Sequence, residues 1–326
     1  MRPDVEHLLK GIQAGDRLSL SRAITLIETE LPDHFPFRDA LIRQIEPLAG
    51  KSLRLAVTGV PGAGKSTLID RLGLYWAEAG HKVAVLAIDP SSHISQGSIL
   101  GDKTRMTDLS RHPNAFIRPS PTRLQLGGIA PNTFETILLC EAAGFDRIIV
   151  ETVGVGQSET LASALTDVCL LLLVTGTGDD LQGVKKGILE TADLVLVNKA
   201  DSGNEDRAKA FSRELKQISS LWPLRGNGKN AQILQGSALK MELLEKLCQE
   251  LDLFLHDVQA NGRFLEQRRA QNQSWLRSLI RRHLEEKIQY HPDWTQAMDE
   301  AAEAVRQGNA VSQEAARVWE RGKFVF

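Results

Sequence analysis

Between residues 53 and 238 the chain repeats one pattern: a short, continuously apolar run, then a stretch with helical periodicity. The runs are LRLAVTG (53–59), VAVLAID (83–89), AFIR (115–118), RIIVET (147–152), VCLLLLV (168–174), LVLVNK (194–199) and QILQGSA (232–238). A strand with one wet face alternates apolar and polar residues, whereas a strand covered on both faces does not. Such strands separated by helices demand an α/β fold with a mostly parallel sheet sandwiched by helices.

The flanks read differently. Leu8–Leu9, Ile12, Leu18, Ile24 and Ile27 recur at helical intervals, with Gly15–Asp16 as a break. Pro32 and Pro36 punctuate a turn before a helix over 38–46. Beyond residue 263, Leu276, Ile280, Leu284 and Ile288 form one apolar stripe that Pro292 ends. Arg277, Arg281, Arg282 and Lys287 lie off that stripe, on a face expected to be solvated. Residues 222–230 (WPLRGNGKN) read as an exposed loop before the last strand.

Charge narrows the function classes. Lys+Arg number 39 against 41 Asp+Glu, so the basic excess of a dedicated nucleic-acid binder is missing. The longest strongly apolar run, Val168–Val174, is far too short to span a membrane. The start, MRPDVEHLLKG, has acids early and no apolar stretch of signal-peptide length. A cytoplasmic protein with no membrane partner is expected. Cys140, Cys169 and Cys248 form no CxxC pair and read as three buried small side chains, not as a disulfide or zinc site.

The strongest local signal is GVPGAGKS at 59–66, an uninterrupted GxxxxGK[ST] between a strand and a helix. Gly59, Gly62 and Gly64 let the backbone curl so that several N–H groups face one anion. Val60, Pro61, Ala63 and Thr67 complete the loop and its exit. The helix behind adds its dipole. Lys65 brings a mobile positive charge to the β- and γ-phosphates, and the Ser66 hydroxyl suits Mg²⁺. The expected fold is therefore a P-loop NTPase over 50–258, with a helical extension over 1–49 and a helical arm over 259–326.

A second motif chooses the base. Asn198, Lys199, Ala200 and Asp201 spell NKxD where the sixth run ends, and ligands of open α/β sheets bind at that edge. A carboxylate there accepts from guanine N1–H and the exocyclic amine; adenine offers neither donor in that geometry, and the unpaired acid would reject it. Asn198 would orient the loop and the Lys199 stem would lie along the base plane. Backbone N–H groups of Ser237, Ala238 and Leu239 could reach guanine O6.

Two acids end strands on the same edge, Asp89 and Glu151. Most GTPases have DxxG at the second place; here Glu151-Thr152-Val153-Gly154 is ExxG. The Gly154 amide can still sense the γ-phosphate, while the longer acid can approach metal or water differently. Gln157 is displaced from the position next to that glycine, where Ras-like enzymes orient their water, so slow intrinsic hydrolysis is expected. Asp102 and Arg105 sit in a polar, glycine-bearing loop suited to ordering over the γ-phosphate, and 176–187 (GTGDDLQGVKKG) suits a third switch.

GVPGAGKST, AIDPSS, LGDKTRM, ETVGVGQSE, GDDLQGVKKGILE and NKAD, in this order, resemble the MeaB/ArgK family of P-loop GTPases over roughly residues 50–240. The resemblance implies a G-protein chaperone of adenosylcobalamin-dependent methylmalonyl-CoA mutase that gates cofactor delivery and protects the mutase. It implies a homodimer to which the C-terminal arm contributes. It implies that Lys65, Asp89, Asp102 and Glu151 surround the phosphates and Mg²⁺, with Lys65, Asp102 and Glu151 as the catalytic set and Ser66 as a further metal ligand. Asp179, Gln182 and Lys185 would belong to the switch that signals to the mutase. Two alternatives are weighed beside it. A nickel-type metallochaperone GTPase needs imidazole or thiolate ligands near the nucleotide, and the eight histidines show no paired spacing. A P-loop kinase would use ATP, which NKAD argues against.

Overall fold

A computed structural model describes residues 3–89, 106–121, 131–152, 164–175 and 186–321. Seven strands, β1 (Leu53–Gly59), β2 (Val83–Asp89), β3 (Ala115–Pro121), β4 (Arg147–Thr152), β5 (Val168–Val174), β6 (Leu194–Asn198) and β7 (Gln232–Gln235), form one sheet in the order β3-β2-β4-β1-β5-β6-β7. Every pairing is parallel. All seven apolar runs are thus strands of one sheet, as their lack of alternation requires. The last strand stops at Gln235 rather than 238, because Ser237–Leu239 turn away to meet the NKAD loop.

Alternate residues of each strand enter opposite layers. Leu55 and Val57 of β1 pack with Leu68, Ile69 and Leu72 of α4 (Lys65–Glu78) and with Leu243, Leu247 and Leu251 of α9 (Met241–Ala260). Ala56 faces the other way, into a core shared with Ile12 of α1 (Val5–Gln13), Ile24 of α2 (Arg17–Ile27), Leu41 of α3 (Phe35–Ile45), Phe134 of α6 (Pro131–Ala142) and Trp275 of α10 (Arg263–Gln289). Leu171 and Val195 meet α7 (Lys186–Thr191) and α8 (Glu205–Ser219) in a third cluster. The remaining α-helices among the described residues are the short α5 (Thr107–Arg111) and a terminal pair, α11 (Pro292–Arg306) and α12 (Val311–Arg321). Helices α1, α2, α3 and α10 are therefore part of the layer that covers one face of the sheet.

Local chemistry explains the N-terminal boundaries. Asp4 accepts from His7 N–H at 3.0 Å and Asp16 from Ser19 N–H at 2.8 Å, each capping its helix. Pro36 falls inside the first turn of α3, not before it; the first turn is where a missing N–H costs nothing.

The C-terminal stripe is a correction. Leu276, Ile280 and Leu284 are 56%, 51% and 44% exposed. The face of α10 that packs inward carries Gln271, Trp275 and Arg282. Arg282, expected to be solvated, is buried and bidentate to Glu135, at 2.9 and 2.7 Å. Its charge is tolerated because an equally buried carboxylate meets it with matched geometry. Lower on the helix, Arg268 donates to both oxygens of Asp167 (2.6 and 2.8 Å), beside an Arg54–Glu141 pair at 2.9 and 2.8 Å. Burial pushes the Glu141 carboxyl up, but Arg54, Ser52 and Arg268 outweigh it and hold it below the usual carboxylate range.

Cys140 and Cys169 are buried and Cys248 is half-buried. Burial pushes the Cys248 thiol up to about 11, so it stays protonated and unreactive. Among the described residues, no helix is long and apolar enough to cross a membrane.

Candidate nucleotide site

The carboxyl end of β1, between β4 and β5, is where connections leave the sheet in opposite directions, the usual place for a ligand crevice. The phosphate loop begins there. Gly59 pairs with Leu172 across the sheet, and a Cβ on it would stand 2.3 Å from Leu172 O. Gly64 has φ +91°, and a Cβ there would stand 2.7 Å from Asn198 Nδ2. No side chain fits at either position. α4 starts at Lys65, with Gly64 as its N-cap.

Lys65 folds back over the loop, its Nζ donating to Gly59 O at 2.8 Å and Val60 O at 3.2 Å. Burial lowers its pKa, with the Glu151 charge opposing. Ser66 Oγ donates to Glu151 Oε1 at 3.0 Å. Glu151 stands opposite Val57 on β1 and Ala87 on β2, so the strand register carries its carboxylate to the mouth of the loop. Two hard oxygen donors this close fit a small, oxygen-seeking dication. Pro61, Gly62 and Thr67 are exposed, Val60 is half-buried, and Ala63 is buried. Asp89 closes β2 as expected. Its side chain, and Asp102, Arg105, Gly154, Gln157, Asp179, Gln182 and Lys185, lie outside the described residues.

The base-loop residues come to the same edge. Asn198 is buried and bridges two loops: its Nδ2 donates to Ala63 O at 2.8 Å and its Oδ1 accepts from Ala238 N–H at 3.0 Å. It ties the phosphate loop to the Ser237–Leu239 turn. The Ala238 amide is engaged by Asn198, and the Leu239 amide points to Ser237 Oγ at 3.3 Å. Lys199 is exposed, and its Cε lies 3.9 Å from where a Gly64 Cβ would stand, so its stem runs over the phosphate loop. Asp201 is half-buried. Ala200 N–H donates to Gly236 O at 3.0 Å.

Sequence reading passed over Asn204 and Asp70. Asn204 looks like an ordinary helix start before Glu205 and Asp206, while its side chain donates to Lys199 O at 3.0 Å. Asp70, on α4, accepts from Leu109 N–H of α5 at 3.0 Å, and burial raises its pKa. Helical periodicity gives no hint of a cap supplied from another helix.

A phosphate loop on a central strand of a parallel sheet, locked to a neighbouring turn by one buried asparagine, defines a P-loop nucleotide hydrolase. The family model described as methylmalonyl Co-A mutase-associated GTPase MeaB matches residues 20–293. This chain belongs to that family and is a GTPase. A putative GTPase of Caulobacter vibrioides is 44% identical over 313 residues, 96% of each chain. The methylmalonic aciduria type A homolog, mitochondrial, of Mus musculus is 39% identical over 298 residues, 88% of this chain and 72% of its own length. The crystal structure of a LAO/AO transport system kinase superposes with a TM-score of 0.73 at 31% identity, covering 97% of this chain and 96% of its own.

Proposed function

We propose that this GTPase is a chaperone of an adenosylcobalamin-dependent methylmalonyl-CoA mutase, gating cofactor delivery and protecting the mutase from inactivation. The observation that carries the reading is the match over residues 20–293 to a family described by its association with that mutase. The mouse relative, named for methylmalonic aciduria, points the same way.

The chemistry follows from the residues at the sheet edge. Water attacks the γ-phosphate in line, and positioning with charge stabilisation does most of the work. Lys65 leaves the carbonyls of Gly59 and Val60 for the β- and γ-phosphates, which offer it full negative charge. Asn198 holds the loop in place through Ala63, and Asp201 selects guanine. Ser66 and Glu151, with Asp89 and Asp102, hold Mg²⁺, which when bound neutralises charge on the phosphates. With Gln157 displaced from the water-orienting place, turnover is slow until the partner engages. Asp179, Gln182 and Lys185 carry the signal to it.

The protein acts in the cytoplasm as a homodimer. The exposed row Leu276, Ile280 and Leu284, with Met298, Val311 and Trp319 of the terminal helices, supplies apolar surface that association would cover. Residues 259–326 serve as the dimerisation arm.

The test is capture of methylmalonyl-CoA mutase by the full chain, with GTP turnover measured with and without the mutase. Complex formation with a change in turnover is the expected result. Neither binding nor a rate change would sink the chaperone reading. Tighter binding of ATP than GTP would instead overturn the choice of base.

A further inference from the structure

The turn after β6 is held by a side chain outside the NKAD motif. Asn204 Nδ2 donates to Lys199 O at 3.0 Å, and Asn204 Oδ1 accepts from Thr175 Oγ1 at 2.9 Å. Chemistry fixes the orientation of this amide. A carbonyl can only accept, so the NH₂ end faces Lys199 and the oxygen faces the Thr175 hydroxyl. The Asn204 backbone N–H donates to Asp201 O at 3.0 Å. One residue therefore grips the turn on both sides of the base-reading aspartate and ties it to the residue that follows β5.

The turn needs that grip. Lys199 and Ser202 have φ +57° and +53°, the left-handed region that side-chain-bearing residues disfavour. Such residues persist only where their surroundings over-determine them. Asp201 lies between the two, so they set the direction of its carboxylate. A further backbone anchor of the turn is Ala200 N–H on Gly236 O. It fixes height along the sheet, while the Asn204 amide fixes the Lys199 peptide plane.

We infer that Asn204 is a positioning residue for base selection: by holding Lys199 O, with its own amide set by Thr175, it aims Asp201 at the guanine edge. The inference rests on Asp201 being the guanine-reading carboxylate, and it adds a residue to that site rather than a new site. Its signature is loss of selectivity, because the Asn204 side chain bonds to Lys199 O and Thr175 Oγ1 and not to the phosphate loop.

The experiment measures affinities of the full chain for GDP, for inosine diphosphate, which lacks the exocyclic amine, and for inorganic tripolyphosphate. The variants are Asn204→Asp, Thr175→Val and Asp201→Ala. Asn204→Asp keeps an acceptor for Thr175 and turns an oxygen toward Lys199 O. It should bind GDP about ten-fold more weakly, the scale of one lost hydrogen bond. Its GDP-to-inosine-diphosphate ratio should fall toward one while tripolyphosphate binding stays unchanged. Thr175→Val should lower the ratio partway, and it decides the matter if Asn204→Asp does not fold. Asp201→Ala should abolish the ratio. An unchanged ratio in Asn204→Asp and Thr175→Val, with Asp201→Ala abolishing it, overturns the inference alone. A ratio that survives Asp201→Ala overturns the guanine reading and the inference with it.

Discussion

The Ser66 hydroxyl donates to Glu151 Oε1 across 3.0 Å, so the first residue beyond the phosphate-loop lysine and the last acid of β4 are direct partners. A glutamate rather than an aspartate at the head of ExxG supplies the reach. Glu151→Ala should lower kcat for GTP by about 10–100-fold, the scale of losing a group that orients a bound metal. GDP affinity measured without Mg²⁺ should change little. Single-turnover hydrolysis and equilibrium binding separate the two, and unchanged kcat would contradict the placement.

Asn198 satisfies Ala63 O and Ala238 N–H in a buried position. Asn198→Ala leaves both backbone groups without that partner. It should destabilise the protein by about 2–4 kcal/mol, one to two buried unsatisfied groups. Nucleotide affinity should fall alongside, because the phosphate loop and the base turn lose their common tie. Urea unfolding and GDP titration check the two effects.

How far the sequence reaches is clear from Asn198 and Arg282. Asn198 belongs to a motif at the end of an apolar run, and both its strand and its edge of the sheet follow from the pattern. Arg282 belongs to a helix whose leucines and isoleucines announce an inward face, yet that face is mostly exposed. Periodicity locates apolar stripes but does not say which protein surface covers them. The inward face of α10 is chosen by carboxylates on elements more than 100 residues earlier, Asp167 and Glu135. The same limit hid Asp70 and Asn204, whose roles depend on partners that only the fold brings near.

The Arg282–Glu135 pair gives a prediction with a sign that depends on which partners are removed. Arg282→Met leaves the buried Glu135 charge uncompensated and should cost about 3–5 kcal/mol. Arg282→Met with Glu135→Leu should recover most of that loss, since two apolar side chains replace a desolvated pair. Denaturant midpoints of the two single variants and the double variant test it; equal loss in single and double variants would refute the argument.

Asp193 offers a pH test. Burial pushes its carboxyl from 3.8 up to about 6, with the Cys169 N–H and Arg225 opposing. Between those values the folded state binds more protons than the unfolded state, so this group's contribution is full below 3.8 and is lost as pH rises through about 6. Asp193→Asn keeps an acceptor for Cys169 N–H, which Asp193 Oδ2 now meets at 2.8 Å, and carries no charge. It should raise stability at pH 7.5 by about 1–3 kcal/mol, by about half as much at pH 5, and hardly at all below pH ~3.8. A gain independent of pH would assign the effect to something other than ionisation.

The cluster of Arg54, Glu141, Asp167 and Arg268 joins residues that are made far apart in time during synthesis. Arg54, Glu141 and Asp167 emerge from the ribosome long before Arg268, and until it arrives two acids share one arginine. The sheet face that Trp275 covers is likewise left open. A chain released just after α9 would hold every phosphate-loop and base-turn residue described above, and yet carry an exposed core and an unbalanced buried acid. Nascent protein of this kind becomes a finished molecule only when its long C-terminal helix has been made.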